Sequence, residues 1–135
     1  MRVIESLRKR VSKKGGFTLV EIIAVLVILA ILTAVAVPKY FDLAEQAKAM
    51  AVQGAIAEGL SVCSLAYAKK AMEAGGDPAL ADVITEASGV TIEGDFNFAF
   101  AANGTAAIDV NVSGKAGSKV QGASGTGTWT MPTSP

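Results

Sequence analysis

Phe17–Val37 reads FTLVEIIAVLVILAILTAVAV, 21 residues with a single charge, Glu21. As an α-helix this run spans about 31 Å, close to the hydrocarbon thickness of a bilayer. It is apolar on every side, so lipid or other chains must cover it. The flanks divide sharply by charge. Residues 1–16 carry Arg2, Arg8, Lys9, Arg10, Lys13 and Lys14 against Glu5, a net of +5, whereas residues 17–135 carry six lysines against eleven acids, a net of −5. The formal zero of the whole 135-residue chain is the sum of these two blocks. Basic residues crowd the N-terminal side of the run, which places that side in the cytoplasm by the positive-inside rule. The length fits a single small domain. A chain with no histidine and one cysteine excludes His-based catalytic triads, intrachain disulfides and Cys-rich zinc sites.

An ordinary secretory signal peptide or a plain anchor is the first alternative, with Ala34-Val35-Ala36 as a small-residue cleavage site releasing a soluble binding domain. The length of the basic region argues against it. So does Glu21 at the edge of the run, where neither reading gives it a use. A carboxylate near a membrane core costs roughly 2.5–3.5 kcal/mol on insertion scales, so its presence points to a partner.

Lys13-Lys14-Gly15-Gly16-Phe17-Thr18-Leu19-Val20-Glu21-Ile22 resembles the processing site of type IV prepilins and the related pseudopilins. The resemblance covers residues 13–45. It implies that residues 1–16 are a leader, that prepilin peptidase cuts between Gly16 and Phe17, and that the same enzyme N-methylates Phe17. Glu21, fifth after that cut, matches the family's glutamate, and Pro38 matches its helix-interrupting proline. The chemistry suits these residues. Gly16 lets a protease hold an extended backbone. The cut discards the basic leader and creates one amine on Phe17, which Glu21 of a neighbouring subunit can neutralise in a packed bundle. Breaking such a buried pair costs roughly 3–5 kcal/mol, which enforces register between subunits. Pro38 removes a backbone donor, so it kinks or weakens the helix, or ends it before a separate helix from Lys39; the residues allow both.

Residues 39–74 are alanine-rich and read as an amphipathic helical continuation. Val52, Ile56, Leu60, Cys63, Tyr67 and Ala71 form one face suited to a sheet, while Asp42, Gln46, Gln53, Glu58 and Lys69 turn away from it. Gly54 and Gly59 each cost about 1 kcal/mol relative to alanine and allow close approach or a bend. Cys63 reads as a small core residue. Gly75-Gly76 stops the helix, and Asp77-Pro78 reads as the N-cap and first turn of a short helix over 78–87. Antiparallel strands follow within 90–131. Phe96, Phe98 and Phe100 alternate with small residues, as do Ile108, Val110 and Val112 with polar ones. A three-residue loop, Ala102-Asn103-Gly104, sets Phe98 opposite Ile108 and Phe96 opposite Val110, with Gly104 left-handed. Fifteen of the 23 residues from Ser113 onward are Gly, Ser, Thr or Pro, which predicts loops and one strand near Thr128–Met131 turning Trp129 and Met131 inward. Asn103-Gly104-Thr105 and Asn111-Val112-Ser113 fit the N-glycosylation pattern, but turn and strand roles explain them better.

The expected architecture is α+β, a pilin-like lollipop: a long N-terminal helix whose first half, 17–38, is transmembrane and then forms filament core. The remainder, 39–135, is a head built on a small antiparallel sheet. Residues 17–60 are expected to form the core of a homo-oligomeric helical filament. Neither an enzyme nor a cofactor or metal site is expected, and the acidic chain disfavours nucleic acid. The implied partners are prepilin peptidase, the inner-membrane pilus assembly machinery, the inner membrane before assembly, and further copies of the chain in an extracellular pilus. Pro38–Gly76 is most similar to pilins of the mannose-sensitive haemagglutinin type. The alternative is a type II secretion pseudopilin, which would remain periplasmic. Cys63, without a second cysteine, cannot close the C-terminal disulfide loop of many pilins, so a role that depends on that loop is not implied.

Overall fold

The structure, a computed structural model, describes residues 15–132; residues 1–14, most of the expected leader, lie outside them. The element order is α1 (Leu19–Ala74), α2 (Leu80–Ser88), β1 (Phe96–Asn103), β2 (Ala107–Gly114) and β3 (Ser124–Thr130). A long helix thus precedes a three-stranded antiparallel sheet of order β1-β2-β3, an α+β arrangement. By internal contacts the chain divides after Asp42 into two compact units.

In the first unit, α1 begins at Leu19 with Thr18 as its N-cap, the Thr18 carbonyl accepting from the Ile22 N–H at 3.2 Å. Its apolar window has no buried residue, and it is the one helix among the described residues long and apolar enough to cross a membrane. The Thr33 hydroxyl donates to the Leu29 carbonyl at 2.7 Å, which satisfies the one hydroxyl in the run after the first turn. The helix continues through Pro38, so a separate helix from Lys39 does not form.

In the second unit, the helix face that meets the sheet is narrower and smaller in side chain than the periodicity predicted. Val52, Ala55, Gly59, Cys63 and Ala66 are the buried positions, while Ile56, Leu60 and Tyr67 flank them half-buried. The reason is close approach. A Cβ on Gly59 would run into Val110 Cγ1, so the sheet's large residues fit the helix's small ones. The converse holds on β3. A Cβ at Gly125 would lie 2.6 Å from Val52 Cγ1, and one at Gly127 would overlap Ile56. Ile108, Val110 and Val112 on the central strand close this core, with Val83 and Ala87 from α2. Cys63 is fully buried there, and burial pushes its thiol up from the ordinary value.

The hairpin register differs from expectation. Phe98 pairs with Val112, Phe100 with Val110 and Asn103 with Ala107, so the three loop residues are Gly104, Thr105 and Ala106. The displacement is two residues on each strand, which keeps Phe98 and Phe100 on the core face. It adds rungs at Ala102 and Asn103, and Gly104 takes the first loop position with φ 71° rather than the last. Asn103 stays in the strand, where its Nδ2 donates to Asp109 Oδ1 at 2.9 Å. No strand covers Val90–Asp95. β3 starts earlier than predicted, at Ser124, because its glycines serve helix packing; Met131 lies beyond it, its N–H bonded to the Ala106 carbonyl.

The short helix also shifts. It starts at Leu80, with Ala79 in the N-cap position and no side-chain cap. The Asp77 carboxylate is engaged elsewhere: Oδ1 accepts from the Tyr67 hydroxyl at 3.0 Å, a contact that raises the phenol's pKa. Tyr67 packs against Trp129 at 5.8 Å between ring centroids, and Trp129 Nε1 donates to Ser64 Oγ at 2.9 Å. These contacts tie the last strand to α1 without a covalent link. Trp129→Phe should therefore lower the unfolding free energy by about 1 kcal/mol, read from urea titration of the full chain in detergent.

Lys69 and Lys70 reach from α1 to Glu86 on α2, the Lys70 contact being 3.3 Å, and Lys70 also pairs with Glu73 at 2.9 Å. Hydrogen bonds from Lys69 and then Lys70 hold the Glu86 carboxyl below its ordinary value of 4.5. A carboxylate so depressed contributes fully above that ordinary value and loses its contribution as pH falls through the lower folded one. Amide protection in Leu80–Ser88 should thus drop as pH falls below 4.5, and Glu86→Gln should flatten that dependence in hydrogen exchange.

Candidate functional site

Gly15 and Gly16 are exposed, and a Cβ at either would meet no atom within 4 Å. Phe17 is 80% exposed. The Gly16-Phe17 bond therefore lies in open, non-helical chain two residues before the helix begins, a form in which a protease can take the backbone. Lys13 and Lys14 lie outside the described residues.

The helix start supplies what sequence reading missed. The Glu21 N–H donates to Thr18 Oγ1 at 3.2 Å, and the Thr18 N–H donates to Glu21 Oε2 at 3.4 Å. This is a capping box, in which each side chain satisfies a backbone donor that the first turn leaves over. The signal was present in Thr18-Leu19-Val20-Glu21, a Thr followed three residues later by Glu at the head of an apolar run. Glu21 thus has a local use at the edge of the run that holds for a signal peptide or a plain anchor as well, the two readings that had given it none. Its position has a second consequence. A cut after Gly16 would place a cationic amine one residue before the N-cap, at the positive end of the helix dipole, where a first-turn carboxylate offsets it.

Beyond Glu21 the helix carries no charge until Lys39, and every residue from Leu19 to Val37 is exposed, Leu26, Ile28, Ile31 and Leu32 by more than half. Pro38 lies inside α1. The structure brings Thr18 and Glu21 together, leaves Gly16 and Phe17 exposed ahead of the helix, and places Pro38 well inside it.

The prokaryotic N-terminal methylation motif matches residues 11–37, a span that holds the Gly16-Phe17 junction, Glu21 and the apolar run. The chain is also 38% identical over 79 residues to the type IV narrow pilus major component PilA5 of Thermus thermophilus. Both matches support a type IV pilin. The aligned region takes in 58% of this chain and 65% of that pilin's length. No solved structure matches the chain.

Proposed function

We propose that the chain is a structural subunit of a type IV pilus filament, processed between Gly16 and Phe17 by prepilin peptidase, N-methylated on Phe17 and polymerised through its apolar helix. The observation that carries this reading is the uncovered run Leu19–Val37, headed by a carboxylate held at the helix start. Such a surface cannot remain in water. Lipid covers it in the precursor, anchored in the inner membrane with its N-terminus cytoplasmic. Other copies cover it in the extracellular filament, which would serve adhesion or motility. Glu21 then turns from its own Thr18 toward the amine of a neighbouring Phe17, and Pro38 marks where the helix can yield when the filament stretches.

Shearing cells that express the chain and identifying the protein in the released filaments tests the reading. Abundant chain in surface filaments is the expected result. Retention in the periplasm, with loss of exoprotein secretion on deletion, would instead make it a pseudopilin of a type II secretion system.

A further inference from the structure

The sheet face turned away from α1 carries four rungs of short side chains, and its two ends differ. Toward the hairpin, Asp109 is spent within the face. Its Oδ1 accepts from Asn103 Nδ2 at 2.9 Å and from the Thr128 hydroxyl at 2.7 Å. The other end consists of two rungs, Asn97–Ser113–Ser124 and Ala99–Asn111–Thr126. These residues are all exposed and line a shallow, open cleft of about 340 Å³. Between them run Phe98, Val112 and Gly125, the strand positions that face α1 on the other side. The Thr126 hydroxyl donates to Asn111 Oδ1 at 2.8 Å, which fixes that amide and leaves its Nδ2 as a donor. Asn97, Ser113 and Ser124 have no side-chain hydrogen bond to any described residue.

A small-ligand pocket is normally lined mainly by apolar side chains with a few polar groups. This cleft reverses the proportions, five amide or hydroxyl residues around one alanine. None of its lining residues is charged, so nothing there would hold a phosphate, sulfate or carboxylate. The phenylalanine rings of β1 pack toward the core, so none is offered to stack a base. Amides and hydroxyls between them both donate and accept, which matches a ligand whose hydroxyls do the same. The Ala99 methyl in their midst seats C–H groups. We infer that this cleft binds a neutral glycan, a sugar ring lying across Ala99 with adjacent hydroxyls on the Asn97 and Asn111 amides. A single cleft this open binds weakly. Here the inference rests on the subunit reading above, because a filament repeats the cleft in every copy and many weak contacts then act together.

The test passes the full chain, in a detergent without a sugar headgroup, over two sets of immobilised oligosaccharides. One set ends in neutral hexoses and N-acetylhexosamines, the other in sialic acid or sulfated sugars. Retardation by the neutral set alone is the expected result. Asn97→Ala should weaken it about tenfold, the scale of a lost hydrogen-bonding group. Ala99→Leu should abolish it by filling the cleft, while Thr130→Leu, on the same face but outside the cleft, should leave it unchanged. All three positions are exposed, so the unfolding midpoints should match that of the unaltered chain. No retardation by the neutral set, retardation by the anionic set alone, or binding undiminished by Asn97→Ala and Ala99→Leu would each overturn the inference. Cells expressing Ala99→Leu should still shed filaments; their loss while the head stays folded would show that a second copy covers this face, which also overturns it. Sheared filaments of the unaltered chain report the subunit reading separately. Filaments from a chain that the neutral set does not retard remove the cleft alone, whereas retardation without filaments leaves the cleft standing and removes the pilus.

Discussion

Glu21→Gln is expected to abolish filament assembly while leaving cleavage after Gly16 intact. The glutamine variant separates the two uses of this side chain. A glutamine at the third helical position completes the capping box as well as glutamate does, so the Thr18 N–H keeps its acceptor and the helix start is preserved. What is lost is the charge. In a filament the amine created at Phe17 would then be buried without a counterion, at a cost of roughly 3–5 kcal/mol per subunit, which reduces incorporation by on the order of 100-fold or more. Glu21→Ala removes the cap as well and should fail in the same way. Mature chain should accumulate in the membrane fraction in both variants, and sheared filaments should be absent. Normal filaments from Glu21→Gln would reduce Glu21 to a capping residue.

Gly59→Val is expected to produce the largest loss of head stability. The position is buried, and the added Cβ alone would overlap Val110 Cγ1 and come within 3.4 Å of Phe98 Cδ1. Neither neighbour can retreat easily, because Val110 is fully buried on the central strand and Phe98 packs against the same cluster. Overpacking of this sort costs about 3 kcal/mol, at the upper end of the usual range, and outweighs the roughly 1 kcal/mol that leaving glycine returns to a helix. Val110→Ala made alongside Gly59→Ala should recover part of the loss, because the contact would be remade with the small residue on the sheet. The double-mutant cycle in urea should show a favourable coupling of about 1 kcal/mol. Additive effects would mean that the helix and the sheet do not meet at this pair.

The parts of the fold that the sequence makes legible are those set by long runs and by period. The 21-residue apolar run, the change to a period of two among the phenylalanines, the stop at Gly75 and the burial of Cys63 all follow from local composition. What escaped depends on size matching between elements distant in sequence. Ala55, Gly59 and Ala66 carry no hydrophobic weight, so periodicity points to their larger neighbours Ile56, Leu60 and Tyr67; the sheet's own bulk decides otherwise. The same exchange hides β3, whose Gly125 and Gly127 look like loop residues until Val52 and Ile56 are set above them. Asp77 has the sequence of an N-cap, yet Tyr67, one residue C-terminal to Ala66 on the packed helix, holds its carboxylate. The hairpin loop is three residues long as expected but displaced, since Asn103 gains a partner in Asp109 by remaining in the strand. At the candidate site the sequence shows Gly16-Phe17 beside the run and Glu21 as its single acid. The Thr18–Glu21 exchange was also written there, in a spacing of three.

The central claim is that the working subunit begins at Phe17, and mass spectrometry of the N-terminal peptide of the mature protein tests it most directly. The account predicts a peptide starting with N-methylated Phe17, with Glu21 fifth. A mature chain beginning at Val37, as an ordinary signal peptidase would leave it, would contradict the account.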